Sequence, residues 1–212
     1  MIDATDRIGA ISRADVLVRL EEYVAASRED EMVIGFEARP VGEEIDEPLL
    51  TVCHPGDPEK ASEWTENPRL IRRRLEERFR QPLEALFREL LGREEAPTSP
   101  LMESVQSVAV SYLGREEYMD IPKRLTLVSD LMQHSEYLSF FRQPVDYDAF
   151  ARSHGADALS TDLRGTAVEI LFVQRRAHGR LSDTRSLIDF WERWIEDQGG
   201  FVERVVRIDG MN

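Results

Sequence analysis

Arg124-Leu-Thr-Leu-Val-Ser-Asp130 and the opening stretch Met1-Ile-Asp-Ala-Thr-Asp-Arg7 each bring an apolar run to an aspartate. The run Leu125–Val128 is continuous, which is typical of a strand buried on both faces of a parallel sheet. In α/β folds the ligand sites lie at the carboxyl ends of such strands. We therefore expect Asp3 and Asp130 to lie at one edge of an α/β sheet, on adjacent strands.

Strand and helix patterns alternate along the rest of the chain. Strands are predicted at residues 1–4, 32–36, 49–53, 125–128, 168–173 and 201–208. Helix starts are predicted at a capping box of Ser12 with Asp15, at Asn67-Pro68, at Ser99-Pro100, and at Ser182 or Asp183. Helical crossovers favour a parallel sheet, and the short link between the second and third strands favours one antiparallel pair. The predicted fold is α/β, a mainly parallel six-stranded sheet with one antiparallel edge strand and helices on both faces.

The domain organisation follows from length and from the position of the first aspartate. The 212 residues, 42% of them hydrophobic, are enough for one domain covering residues 1–212 with a sizeable core. Only two residues precede Asp3, whereas a core strand has about five or six residues. We expect the first strand to be truncated at its N-terminal end and the chain to belong to a longer protein. The expected localisation is cytoplasmic if Met1 is the true start, and envelope-associated if a signal or anchor lies upstream.

Composition limits the partners. The 41 acidic and 27 basic residues give a net charge of −14, which argues against binding to nucleic acid or to an anionic membrane surface. Apolar runs stay well short of the ~20 residues of a transmembrane helix. Cys53 is the one cysteine, so an intrachain disulfide and a multi-cysteine zinc site are excluded. We expect Cys53 to be a small buried hydrophobic residue.

The order of elements resembles the von Willebrand factor A-type domain, whose doubly wound sheet has its third strand antiparallel at one edge. Three short segments carry the resemblance. Asp3-Ala-Thr-Asp-Arg7 stands where the family has Asp-x-Ser-x-Ser, Thr98-Ser-Pro-Leu101 is similar to a Thr-Pro-Leu turn, and Ser129-Asp130 ends the fourth strand. The resemblance implies a metal-ion-dependent adhesion site with Asp3, Thr5, Ser99 and Asp130 as ligands and Mg²⁺ as the cation.

Mg²⁺ prefers an octahedron of oxygen ligands and keeps several waters. An open coordination position then accepts a carboxylate from a partner protein. Arg7 departs from the family pattern, because it occupies the second serine position. A guanidinium there is no metal ligand and repels a divalent cation at short range. Arg7 either points away or fills the metal position and pairs with Asp3 or Asp130, which would make the adhesion site degenerate.

Simpler roles exist for the same residues. A carboxylate at a strand end also caps the loop that follows, and Ser99 before Pro100 is also a helix N-cap. The leading hypothesis is a non-enzymatic module that binds a partner protein through the loops around Asp3, Ser99 and Asp130. It is favoured because the sequence has neither a Gly-x-Ser-x-Gly nucleophile turn nor a glycine-rich phosphate loop.

Two other hypotheses stay open. A divalent-metal-dependent hydrolase would use Asp3 and Asp130 with Asp146 or Asp148 as a third acidic ligand. A metal-free scaffolding domain would use Arg7 to neutralise the aspartates internally.

Two clusters of side chains have two interpretations each. Arginines and glutamates interleave between Arg69 and Arg80, which indicates either a salt-bridged, solvated helix face or a docking surface for an acidic partner. Aromatic residues follow the fourth strand and either form a protein interface or pack their loop onto the domain; they are Tyr137, Phe140, Phe141, Tyr147 and Phe150.

Overall fold

The computed structural model describes residues 1–3, 5, 9–38, 47–61, 67–92, 96–174 and 184–208. The strands are β1 (Ile2–Asp3), β2 (Met32–Gly35), β3 (Glu37–Ala38), β4 (Leu50–Cys53), β5 (Lys123–Ser129), β6 (Thr166–Val173) and β7 (Phe201–Ile208). The helices are α1 (Ala10–Ala26), α2 (Pro68–Leu75), α3 (Gln81–Leu90), α4 (Leu101–Val108), α5 (Tyr147–Phe150), α6 (His154–Ala158) and α7 (Thr184–Asp197). Two π-helical turns, Glu76–Arg80 and Ala109–Leu113, follow α2 and α4, and a short 3-10 helix covers Glu116–Tyr118.

The strands form a five-stranded sheet in the order β3-β1-β5-β6-β7, and all four of these pairings are parallel. The prediction of an α/β fold with a mainly parallel sheet is confirmed. A separate two-stranded sheet pairs β2 with β4 in antiparallel register, from Met32 opposite Cys53 to Gly35 opposite Leu50. The predicted antiparallel partner of the second strand is therefore present.

The sequence predicted one sheet of six strands, but the pairing of the strands changes at Phe36. The strand predicted at residues 32–36 changes partner there, because β2 pairs with β4 whereas β3 pairs with β1. The amide of Ile2 donates to the carbonyl of Phe36 at 3.0 Å, so the two sheets meet at this residue. The observed arrangement is five strands plus two.

Apolar side chains lie on both faces of the five-stranded sheet. Leu125 and Leu127 of β5 belong to a core cluster that contains residues of α4 and α7, including the buried Trp191. Val128, on the opposite face, belongs to a second cluster formed with residues of α1, α2 and α3. The continuous apolar run of β5 is thus explained by burial on both faces. None of the helices in the described ranges is long and apolar enough to cross a membrane.

The predicted helix starts differ in outcome. Asn67 caps α2 as predicted, since its side chain accepts from the amides of Arg69 at 3.1 Å and Leu70 at 3.2 Å. The capping box at Ser12 is wrong: α1 begins at Ala10 after Gly9, without a side-chain cap, and Ser12 is buried inside the helix. Ser182 and Asp183 lie outside the described residues.

Cys53 and the arginine-rich stretch between Arg69 and Arg80 both lie at the surface. Cys53 is exposed, so the prediction of a buried cysteine is wrong; it alternates with the buried Val52 on β4 and therefore faces the other side. In the arginine-rich stretch, Arg73 lies 3.9 Å from Glu77 and both side chains are more than half exposed. This pair fits a solvated, salt-bridged face, and the docking alternative stays a prediction.

Candidate functional site

The carboxylate of Asp3 is the centre of a buried polar cluster at the carboxyl end of β1. Asp3 is only 1% exposed, and the adjacent Thr5 is 2% exposed. Oδ1 of Asp3 accepts two hydrogen bonds from Thr5, one from the hydroxyl at 2.5 Å and one from the backbone amide at 3.1 Å. Thr5 therefore closes the turn after the strand onto the carboxylate that precedes it.

The second oxygen of Asp3 connects β1 to two distant segments. Oδ2 accepts from the hydroxyl of Ser129 at 2.7 Å and from that of Ser99 at 3.3 Å. Ser129 is in reach because β1 pairs with β5 in parallel, with Ile2 opposite Val128. Ser99 is held by two backbone hydrogen bonds with His134, 3.1 Å and 2.8 Å long. Four donors from three segments thus satisfy one buried carboxylate, which a charge out of contact with water requires.

The structure brings Asp3, Thr5 and Ser99 together, as the sequence suggested, but it assigns Ser99 a different role from a helix cap. The prediction that Ser99 caps α4 is wrong: the N-cap of α4 is Pro100, without a side-chain hydrogen bond, and the Ser99 hydroxyl donates to Asp3 instead. The cap is supplied by Gln133, whose Oε1 accepts from the amide of Met102 at 2.9 Å.

Gln133 and Ser129 are site residues that sequence reasoning did not identify as such. Gln133 has no exposed surface, and its amide nitrogen donates to Glu103 at 2.8 Å and to Ser135 at 3.1 Å. It therefore ties the loop after β5 to the start of α4. In the sequence Gln133 stands between the apolar pair Leu131-Met132 and the polar run His134-Ser135, a position that does not reveal the partner of its side chain.

Asp130, at the end of β5, caps its own loop. It is 3% exposed, and its Oδ1 accepts from the amide of Met132 at 3.0 Å. The simpler role weighed for a strand-end carboxylate is thus present at Asp130. Because β1 and β5 are hydrogen-bonded neighbours, both aspartates follow adjacent strands, as predicted.

The backbone turns sharply immediately after Asp130. Leu131 has a φ of 62°, in the left-handed region that costs a residue with a Cβ about 1–2 kcal/mol. Its amide donates to the Ser129 hydroxyl at 2.8 Å, and its carbonyl accepts from the indole of Trp191 at 3.0 Å. Leu131 itself is fully buried. The surrounding contacts thus hold a strained conformation at the sheet edge, a feature often found at functional sites.

The aromatic residues after β5 divide into a buried and an exposed group. The buried group packs its rings around Phe190 at centroid distances of 4.9–5.3 Å and consists of Phe140, Tyr147 and Phe150. The exposed group consists of Tyr137, with 43% of its surface exposed, and Phe141, with 41%. The ring of Phe141 packs edge-on against that of His134, with 5.3 Å between the ring centroids. Phe141 therefore lies beside the segment that positions Ser99.

The oxygen set at Asp3 suits Mg²⁺ in type, because Mg²⁺ binds hard oxygen ligands. A hydroxyl that donates its proton to Asp3 keeps lone pairs for a cation. Arg7, which argued against a cation, lies outside the described residues.

The third acidic ligand that a hydrolase would need is not found in the described part of the chain. Asp146 caps α5 by accepting from Ala149, and Asp148 pairs with Arg193 at 2.6 Å. The hydrogen bond from Arg193 also lowers the pKa of Asp148. Across the described ranges, no group of three or more histidine, cysteine or acidic residues could hold a metal.

Comparison with known proteins gives no relative. No protein-family model matches the chain. No curated protein and no solved structure matches it either.

Proposed function

We propose that the chain is a non-enzymatic domain of von Willebrand A type that binds a partner protein through the loops at the carboxyl edge of its sheet. The observation that carries the proposal is the Asp3 carboxylate, which accepts hydroxyl protons from Thr5, Ser99 and Ser129. On this proposal the β2–β4 pair is the antiparallel edge of one doubly wound, six-stranded sheet that is interrupted at Phe36.

The surface offered to the partner consists of Tyr137 and Phe141. Asp3 and Asp130 are too deeply buried to form a contact area of their own, and their role is to position the loops. Aromatic residues are enriched in protein interfaces and often dominate the binding energy. Tyr137 and Phe141 are more than 40% exposed and lie on the loop that bridges to Ser99.

The partner surface is tested by affinity capture with quantitative mass spectrometry, using wild-type protein and the variants Tyr137→Ser and Phe141→Ser. Phe201→Ser is a matched control, because Phe201 is 51% exposed and begins β7, far from the loop after β5. We expect at least one protein to be captured by wild type and by Phe201→Ser but lost with both other variants. If the captured set is identical for all four proteins, the proposed surface is wrong.

A divalent cation is the second part of the proposal. Thr5 and Ser99 would hold Mg²⁺ through their hydroxyls, and Asp3 and Asp130 would hold it directly or through water. Bound Mg²⁺ would supply a positive centre for a partner carboxylate. The chain's own contribution is the set of hydroxyls already gathered on Asp3.

Thermal unfolding with Mg²⁺ tests this part separately. A chain of net charge −14 gains stability from any added salt through screening, so ionic strength is matched with NaCl and Ser99→Ala serves as the control. For a Kd of about 1 mM, about 10 mM Mg²⁺ stabilises the wild type by about 1.4 kcal/mol. Equal shifts for wild type and Ser99→Ala would remove the cation and leave the partner surface standing.

A further inference from the structure

The helical segment formed by α2 and the π-helical turn that follows it carries a dense run of arginines. Six arginines and two glutamates lie between Arg69 and Arg80, which gives this stretch a net charge of +4. The whole chain carries −14, so the other residues together carry −18. The segment is therefore a locally positive region in a strongly acidic chain.

Most of these guanidinium groups have no carboxylate partner. Arg73 lies 3.9 Å from Glu77. Four other arginines are exposed and form no ion pair within the described ranges; they are Arg69, Arg72, Arg74 and Arg78. We call these four the unpaired arginines. Each has five N–H donors, so the segment offers many charged donors that the chain itself does not use.

The fold does not account for the unpaired arginines. Arg69 and Arg72 are three residues apart on α2, a spacing at which like charges destabilise a helix. Arg69 also lies in the first turn, where the helix dipole disfavours a cation. The backbone stays helical through Glu76 and Gln81, so Arg72 has no free carbonyl end to stabilise. Positive charges also bring an acidic chain closer to neutrality, which does not favour solubility.

The opposite side of the segment fixes it firmly to the domain. Ile71 and Leu75 are each 8% exposed, and Phe79 is fully buried. Leu75 and Phe79 belong to the core cluster that also contains residues of α1 and α3. The arginine side chains thus extend from an anchored helix, which lowers the ordering cost of binding. From Arg69 to Arg80 this surface is roughly 17 Å long.

We infer that the unpaired arginines form a docking surface for an acidic segment of a partner protein. A guanidinium binds a carboxylate through two parallel hydrogen bonds, and several carboxylates along roughly 17 Å would match the length of this surface. The loop that carries Tyr137 and Phe141 packs into the other core cluster through Leu138 and Phe140. The arginine surface is therefore separate from the partner surface proposed above.

The short length of the positive region favours a protein segment over a nucleic acid. A nucleic acid carries phosphate charges along its whole length, and beyond this surface they would meet the −18 of the remaining chain. At physiological salt a charge acts over only about 8 Å, so a short acidic segment can bind the arginines without this repulsion. Glu76 and Glu77, which interleave with the arginines, would also oppose a continuous row of phosphates.

The test is fluorescence anisotropy of a labelled oligo-glutamate peptide of about ten residues, long enough to span the surface, titrated with the full chain. Arg69→Gln with Arg72→Gln removes two unpaired arginines. Arg142→Gln with Arg152→Gln is the matched control, because these arginines are also exposed and form no ion pair in the described part of the chain. We expect saturable binding that the first pair weakens roughly fivefold or more and the control leaves unchanged.

Two further measurements separate the inference from its alternatives. Urea unfolding should show the Arg69→Gln, Arg72→Gln protein to be at least as stable as wild type, because glutamine is a good helix former and relieves the like-charge contact. A strong loss of stability would assign these arginines a structural role and overturn the inference. Absence of saturable peptide binding, or equal affinities for the two double variants, would also overturn it. Tighter binding of an oligothymidylate of equal length would identify a phosphate surface instead and overturn the choice of a protein partner.

Discussion

Replacing Asp3 by alanine removes the common acceptor of four hydrogen bonds from three segments of the chain. The hydroxyls of Thr5, Ser99 and Ser129 lose this acceptor, although each hydroxyl can still turn about its C–O bond. The backbone amide of Thr5 cannot rotate, because it is fixed by the turn after β1. In the alanine variant it stays buried without its acceptor.

The magnitude follows from these contacts. Hydrogen bonds to a charged group contribute about 1.5–3 kcal/mol each, so four of them contribute about 6–12 kcal/mol in gross terms. The opposing desolvation of a buried carboxylate costs several kcal/mol, and the alanine variant does not incur it. We expect a net loss of about 3 kcal/mol for Asp3→Ala. Asp3→Asn retains one acceptor oxygen for Thr5 and can donate to the serine hydroxyls, so its loss should be near 1 kcal/mol.

Urea unfolding monitored by circular dichroism measures both losses. With a slope of about 2 kcal/mol/M, Asp3→Ala should lower the midpoint by about 1.5 M, and its melting temperature should fall by about 6–12 °C. Asp120→Ala is the control, because Asp120 is exposed and surface substitutions stay within about 0.5 kcal/mol. If Asp3→Ala is as stable as Asp120→Ala, then Asp3 does not hold these segments together and the reasoning is wrong.

Three further substitutions test other contacts, each by urea unfolding. Gln133→Leu should cost about 2 kcal/mol, because the amide of Met102 loses its acceptor in a buried site. Asn67→Ala should cost about 1 kcal/mol through loss of the α2 cap. Burial, and then the hydrogen bond to Asp197, raise the pKa of Tyr147 above its usual value of 10, so the folded chain keeps a proton that the unfolded chain releases. Wild-type stability should therefore fall as pH rises above about 10, and Tyr147→Phe should lack that component of the decline.

The buried strands were the most predictable part of the fold. The strand predicted at residues 168–173 lies within β6 (Thr166–Val173), and the run Leu125–Val128 lies within β5. Strands covered on both faces need apolar residues throughout, so their sequence alone indicates them. The change of partner at Phe36 is different, because it depends on which neighbouring strand supplies hydrogen bonds to each half of one segment. A single sequence carries no such information.

Helix caps show where local signals stop being sufficient. Asn67 has a short side chain and a following proline, and its oxygen accepts from the local amides of Arg69 and Leu70, so the local signal was right. Ser99 has the same kind of local signal, but its hydroxyl donates to Asp3, 96 residues away in sequence. A buried carboxylate is a stronger acceptor than the alternatives available to a serine hydroxyl. Tertiary contact therefore overrides the local preference at the candidate site.

The burial of Asp3 and Asp130 decides how the proposed partner surface should respond to substitution. Both side chains are at most 3% exposed, so a partner that docks on the closed loops touches neither carboxylate. Asp3→Asn should then weaken binding only as far as it loosens the loops, in step with its loss of stability. Tyr137→Ser should weaken binding while stability stays unchanged, since the exposed ring has little packing to lose. Only a partner that opens the loops would be as sensitive to Asp3→Asn as to Tyr137→Ser, so the ratio of the two effects distinguishes a positioning role of Asp3 from direct contact.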